Sequence, residues 1–223
     1  MQQDPIIPQP GLPSPENTPF DQPPVIVQSH RPGEGWRSIL STILILLAAP
    51  IVAVLLTTYV FQSYEVDGPS MEITLQNHDR LIVWKAARTW SRIDHSTFIP
   101  KRGEIVIFNK KGLFDSNRDE EKQLIKRVIA LPGEHIVVKD GLITIYNADH
   151  PDGFNPDKDT EYIKAAISTT GNIDQVVPKG QVFVCGDNRG NSLDSRYFGP
   201  IYTSDIVGTL AMRIFPINKA KAF

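Results

Sequence analysis

HIVVKDGLITIY, residues 135–146, is the stretch whose reading decides the fold. Two β-prone runs, 135–139 and 142–146, flank Asp140-Gly141. An Asp-Gly pair tolerates positive φ at both central positions of a type I′ turn, whose twist matches that of paired strands. The stretch predicts an antiparallel hairpin. Outward from it, short runs rich in Val, Ile and Phe recur at 81–84, 104–108, 124–131, 182–185 and 206–215. Residues 109–122 and 147–174 are polar and read as loops, the second as an insertion in the domain. No internal repeat and no long amphipathic helix is present. The prediction is a mainly β fold, an antiparallel sheet domain over residues 62–223.

Before that domain the pattern changes. ILSTILILLAAPIVAVLLTTYVF, residues 39–61, holds no charge. A helix of this length spans a hydrocarbon core about 30 Å thick. Pro50 is tolerable as a kink in lipid. Trp36 and Tyr59 sit where interfacial aromatics belong. A soluble helix would show a polar face, and this one offers only Ser41, Thr42, Thr57 and Thr58. A cleaved secretory signal would be shorter and closer to residue 1. Residues 36–61 therefore read as an uncleaved anchor. Arg31 and Arg37 precede it and Glu65 and Asp67 follow it. The positive-inside rule then leaves the N-terminus cytoplasmic and carries residues 62–223 across the membrane. Residues 1–35, rich in Pro and Gln, read as a disordered cytoplasmic tail.

Composition excludes some classes. The 223 residues carry a net charge of −2, without the basic excess that a phosphate backbone requires. A nucleic-acid partner is not expected. Cys185 is the single cysteine, so neither an intramolecular disulfide nor a CxxC metal site can form. There is no HExxH, no Gly-x-Ser-x-Gly elbow, no Ser-x-x-Lys and no phosphate loop. His30, His78, His95, His135 and His150 are scattered and read as surface or packing residues.

Three segments are harder to explain as scaffold. In DGPSMEITL, residues 67–75, Gly68 and Pro69 hold a tight turn that presents Ser70. Read alone, that serine could simply close the turn. In LIKRVIALPGE, residues 124–134, Lys126 shares a strand face with Leu124, Val128 and Ala130. A lysine in an apolar row is desolvated, which lowers its pKa. Bringing it from ~10.4 to near neutrality costs about 4 kcal/mol. The resulting amine could accept a serine proton. Read alone, the side chain could equally snorkel or pair with a carboxylate. The third segment is GDNRGNSLDSRYFG, residues 186–199, an ordered polar loop rather than a linker.

Together these segments resemble type I signal peptidases, membrane-bound Ser-Lys proteases that remove signal peptides from exported proteins. The matching blocks are Ser70-Met71 with Thr74-Leu75, Arg102 to Phe108, Lys126-Arg127 through Glu134, and Gly186 to Arg189 through Asn191-Ser192, Asp194 to Arg196 and Gly199. The resemblance implies that Ser70 is the nucleophile and Lys126 the general base. It implies that Ser192 orients the lysine amine, and that Asp187 with Arg127 and Asp194 with Arg196 form supporting ion pairs. The Ser70 N–H would help bind the oxyanion. Implied too are cleavage after Ala-x-Ala-type sites, preprotein substrates, a lipid bilayer as partner, and no cofactor or metal. The host would be a cell membrane or thylakoid-type membrane.

The chain departs from the family pattern at several positions. Ile73 stands where the family usually has proline. Gly68 stands where some members carry a serine that donates to the oxyanion. Glu104 and Gly190 stand where Asp is common. Two further classes stay open at this stage, a Ser-Lys protease that cleaves itself or one partner, and a non-catalytic anchored β domain.

Overall fold

The computed structural model describes residues 34–113, 121–158 and 168–223. The expected tail, save Glu34 and Gly35, lies outside the described residues, as do parts of both expected loops. The chain divides into two units, 1–47 and 48–223. The helix α1, Glu34–Tyr59, contributes to both. Its stretch Trp36–Tyr59 is long and apolar enough to cross a membrane. The hydroxyls of Ser41, Thr42 and Thr57 donate back to carbonyls one turn earlier, at 2.8–2.9 Å. These three hydroxyls are thus satisfied within the helix, as a lipid environment demands.

The second unit is antiparallel throughout. Its strands are β1 (Phe61–Glu65), β2 (Arg80–Trp84), β3 (Ile105–Lys111), β4 (Glu121–Ala130), β5 (His135–Lys139), β6 (Leu142–Tyr146), β7 (Ile173–Val176), β8 (Gln181–Cys185), β9 (Ile201–Tyr202), β10 (Ile206–Phe215) and β11 (Lys221–Ala222). Two short helices join them, α2 (Ala86–Ile93) and α3 (Ser195–Phe198). The large sheet runs β1-β2-β10-β3-β4-β8-β9, with β11 on β10, and the small one runs β6-β5-β7. β10 lies between β2 and β3, although it follows them by some hundred residues.

The hairpin forms as its residues dictate. Lys139 pairs with Leu142, and Asp140 and Gly141 take φ of 51° and 81°, the signature of type I′. The apolar runs 81–84, 104–108, 124–131, 182–185 and 206–215 become β2, β3, β4, β8 and β10. Their buried residues form three clusters. One lies between the hairpin and β4–β8, around Ile129, Ile136, Ile145 and Phe183. A second surrounds Val106, Phe108, Val128 and Val184. The third joins Val66, Met71 and Leu75 to Leu81, Ile105 and Leu210, and so pins the turn carrying Ser70 from both sides.

Several boundaries differ from the expectation. α1 ends at Tyr59, and Phe61 opens β1, stacking edge-on against Trp84 at 4.8 Å. Residues 109–111 and 121–122 are paired strand, because Lys111 faces Glu121 and Lys110 faces Lys122 across β3–β4. Ile173 and Asp174 belong to β7, which completes the small sheet. Ala130 does not share the cluster of Leu124 and Val128. The β4–β8 register shifts between Val128 and Ala130, which turns both Ile129 and Ala130 towards the hairpin cluster.

Gly208 shows how closely β2 and β10 approach. A Cβ there would lie 2.5 Å from the Trp84 carbonyl oxygen and 2.9 Å from a Val83 methyl. Backbone cannot yield as a side chain does. Gly208→Ala should destabilise the fold by about 1–3 kcal/mol, read as a lowered urea midpoint with unchanged slope.

Candidate active site

The turn from Asp67 to Leu75 is built by short local bonds between two buried anchors. Glu72 N–H donates to Pro69 O at 3.0 Å, and the N–H groups of Thr74 and Leu75 both donate to Met71 O. Met71 and Leu75 are fully buried, which leaves Ser70 at the edge of the core. Gly68 adopts φ +95°, and its N–H donates to Asn77 Oδ1 at 2.9 Å. The Ser70 N–H forms no hydrogen bond among the described residues. Ile73 takes φ +91°, a region foreign to a β-branched residue. Proline, fixed near −65°, could not occupy this backbone.

Lys126 projects from β4 opposite Val106, with Leu124 and Val128 of the second cluster two residues to either side. It is only 3% exposed. Its Nζ lies 2.7 Å from Ser70 Oγ and 3.0 Å from the Ile125 carbonyl oxygen, and as an ammonium it donates to both. Burial pulls its pKa down to about 8, while the carboxylates of Asp194 and Asp187 hold it up against that fall. About a tenth of the amine is therefore neutral at pH 7, less than full desolvation alone would give. The neutral amine can instead accept the Ser70 hydroxyl proton. Among the described residues no histidine bonds Ser70; His78 and His135 meet Glu65 and Asp174.

The loop after β8 backs this pair. Asn188 N–H donates to Ser70 O at 3.0 Å, and its side-chain amide donates to Pro69 O at 3.1 Å. Gly186 lies at the crossing, where a Cβ would fall 2.4 Å from Ser70 O and 2.2 Å from Ser192 Oγ. Ser192 thus sits against the turn, yet its buried hydroxyl has no hydrogen-bond partner and does not bond Lys126. The two expected ion pairs both form. Arg127 clamps Asp187 through two bonds of 2.8 and 2.6 Å and also donates to Gly103 O. Arg196 clamps Asp194 at 2.8 Å twice, and Asp194 accepts the Gly186 N–H at 3.0 Å.

A third buried pair escaped sequence reasoning. Arg189 grips Asp157 at 2.8 and 2.7 Å and Thr169 at 2.8 Å, and its Nε donates to Gly186 O. Its partners lie in the segment read as loop, with no pattern to mark them. Cys185 is buried and its thiol pKa is pushed well up by desolvation, which keeps it un-ionised. Among the described residues no group of His, Cys, Asp and Glu is placed to hold a metal ion. Beside Ser70 and Lys126 opens a cavity of about 200 Å³, walled by Val66, Leu81, Ile107 and Ile125 and reached by Tyr64 and Gln123.

Comparison with known proteins bears on this arrangement. The family model described as signal peptidase, peptidase S26, matches residues 38–215. Signal peptidase I T of Bacillus subtilis (strain 168) is 34% identical over 178 residues, 79% of this chain and 85% of that protein. Probable signal peptidase I-1 of Synechocystis sp. (strain ATCC 27184 / PCC 6803 / Kazusa) is 34% identical over 186 residues, 82% and 86% of the two chains. A solved signal peptidase I from Enterococcus faecalis V583 aligns over 52% of this chain and 99% of its own, at 26% identity and a TM-score of 0.36, too low to bear on the fold.

The depressed lysine has a thermodynamic signature. Below pH 8 both folded and unfolded chains carry the ammonium, and its full burial cost is present. Between pH 8 and the ordinary lysine value of 10.5 the folded amine loses its proton first, so stability rises with pH and the penalty fades. Lys126→Met should therefore stabilise the fold at pH 7 by roughly 3 kcal/mol. Urea unfolding of the two proteins at pH 7 and pH 10 checks both the gain and its shrinkage.

Proposed function

The chain belongs to the signal peptidase family, peptidase S26, and from that premise we propose that Ser70 and Lys126 are the nucleophile and general base with which it cleaves preproteins. At the coarser level it is a signal peptidase I, a serine hydrolase that removes signal peptides from preproteins. The observation that carries the finer reading is the 2.7 Å contact between Lys126 Nζ and Ser70 Oγ, with an amine whose pKa is about 8.

In the reaction, neutral Lys126 takes the Ser70 proton as Oγ attacks the scissile carbonyl. The Ser70 N–H, which has no hydrogen-bond partner among the described residues, serves the oxyanion, and with glycine at 68 no side-chain hydroxyl assists from that position. The ammonium then gives its proton to the departing amine, leaving an acyl-serine. A water molecule that loses its proton to Lys126 attacks the ester, and Ser70 Oγ recovers a proton as it leaves. Ser192 orients the amine once the hydroxyl turns towards it. The Arg127–Asp187 and Arg196–Asp194 pairs hold β4 and the 186–199 loop in place behind the reacting atoms.

The cavity of about 200 Å³ beside Ser70 suits small side chains, which supports cleavage after Ala-x-Ala-type sites. The signal segment lies extended along a strand edge, adding its backbone to the sheet. Ser70 follows the end of α1 by eleven residues. That spacing supports a membrane-anchored enzyme working at the bilayer surface, with the N-terminus cytoplasmic and the catalytic domain on the far side. The host is a cell membrane or thylakoid-type membrane.

Ser70→Ala and Lys126→Ala should each abolish precursor processing while the protein still inserts into membranes. Full processing by either variant sinks the assignment. For the wild type, kcat/KM should climb as pH rises through about 8 and then level off, because only the neutral amine is a base. A profile flat from pH 6 to 9 would assign the proton to another group.

A further inference from the structure

A second cavity, of about 840 Å³, opens beside the end of α1 and is lined by Tyr59, Tyr64, Lys85, Arg88 and Arg92 among others. All of these belong to the second unit. Three lining side chains are cationic, and no Asp or Glu lines the cavity. Lys85 Nζ donates to Gln62 Oε1 at 3.0 Å. Arg88 donates to the carbonyls of Ile206 at 3.2 Å and Ser204 at 2.8 Å, and to Ser91 Oγ at 3.4 Å. Every acceptor is neutral. These bonds fix the side chains without cancelling their charge.

Arg92 forms no hydrogen bond or ion pair through its guanidinium among the described residues. Burial and the charge of Arg92 both lower the Arg88 pKa, and Asp205 only partly offsets them through space. The cations are not needed to cap α1 either. Thr89 Oγ1 donates to Tyr59 O at 2.9 Å, and Lys85 N–H donates to Val60 O at 2.8 Å. Positive charge is thus gathered at the cavity and only partly offset, by Asp205 acting through space. It sits where the apolar helix ends in an aromatic residue, the level of lipid headgroups.

We propose that this cavity binds the phosphate of an anionic phospholipid headgroup, with Arg92 and Arg88 as its main ligands and Lys85 beside them. Guanidinium groups match phosphate geometry through paired N–H donors. The site rests on the reading that α1 spans a bilayer. Inorganic phosphate offers the same chemistry from another source, and the test separates the two.

The full chain would be reconstituted in nanodiscs of phosphatidylcholine with phosphatidylglycerol, and retained lipids weighed by native mass spectrometry. Wild type should keep phosphatidylglycerol in preference to phosphatidylcholine. Arg92→Gln should weaken that preference about fivefold and Arg88→Gln/Arg92→Gln roughly 25-fold, with Lys179→Gln as an unchanged control. If the double variant unfolds, Arg92→Gln alone decides, since its side chain holds nothing else in place. Unchanged retention in Arg92→Gln, or no preference in wild type, overturns the site. So does inorganic phosphate binding to wild type in pure phosphatidylcholine as tightly as phosphatidylglycerol does, because free phosphate would then be the ligand. Extraction of the chain by alkaline carbonate would overturn the anchor, and the site with it. Retention in the membrane together with unchanged lipid binding overturns the site alone.

Discussion

The structure depends on keeping one amine out of water. Lys126 sits in a β strand among valine and leucine side chains, and its burial works against the fold at every pH where the unfolded chain is protonated. Much of the neighbouring architecture makes that burial tolerable. Asp194 and Asp187 lie near enough to stabilise the ammonium through space, yet each is already bound to an arginine. The amine is left with Ser70 Oγ and a backbone carbonyl as its partners. A direct salt bridge would have locked the proton on. Carboxylates spoken for by guanidinium groups moderate the pKa and leave the amine able to lose its proton.

The same carboxylates shape the loop. Asp194 accepts from Gly186 N–H while paired with Arg196, and Arg189 bonds Gly186 O while paired with Asp157. Both backbone groups of Gly186 are therefore held by charged side chains. That grip fixes the one residue whose missing side chain lets the loop press on Ser70 and Ser192. Buried pairs of this kind are poor sources of stability; here their use is positional. The unpartnered Ser192 hydroxyl is the one loose polar group in this frame, and a hydroxyl rotates freely.

Much of this was legible before any coordinates. Runs rich in Val, Ile and Phe marked β2, β3, β4, β8 and β10, because β-branched and aromatic side chains suit a buried pleated surface. Asp140-Gly141 marked the hairpin by its chemistry. What escaped notice had no local signature. β1 follows directly on an apolar helix and borrows its hydrophobicity. β7 is four residues long, and its alternation only makes sense beside β5. Charged residues at 110, 111, 121 and 122 read as loop because each is polar, whereas their pairing across the ladder is a property of two segments at once. At the site, Ser70, Lys126, Arg127, Asp187, Asp194 and Arg196 were named from motif order. Arg189 was seen only as part of a polar loop, since Asp157 and Thr169 come to it through the tertiary fold.

The position of β10 has a consequence in time. β1 and β2 flank the turn that carries Ser70; β3 and β4 carry Lys126; β10 is the strand that joins the two halves. Translation delivers the halves first and the joint last. Until residues 206–215 have emerged, the sheet lacks its middle, and serine and lysine are parts of separate hairpin-like fragments. Contacts of such high sequence separation also form late in folding. The two segments that face each other at the site are thereby united through a strand that lies far later in the chain than either.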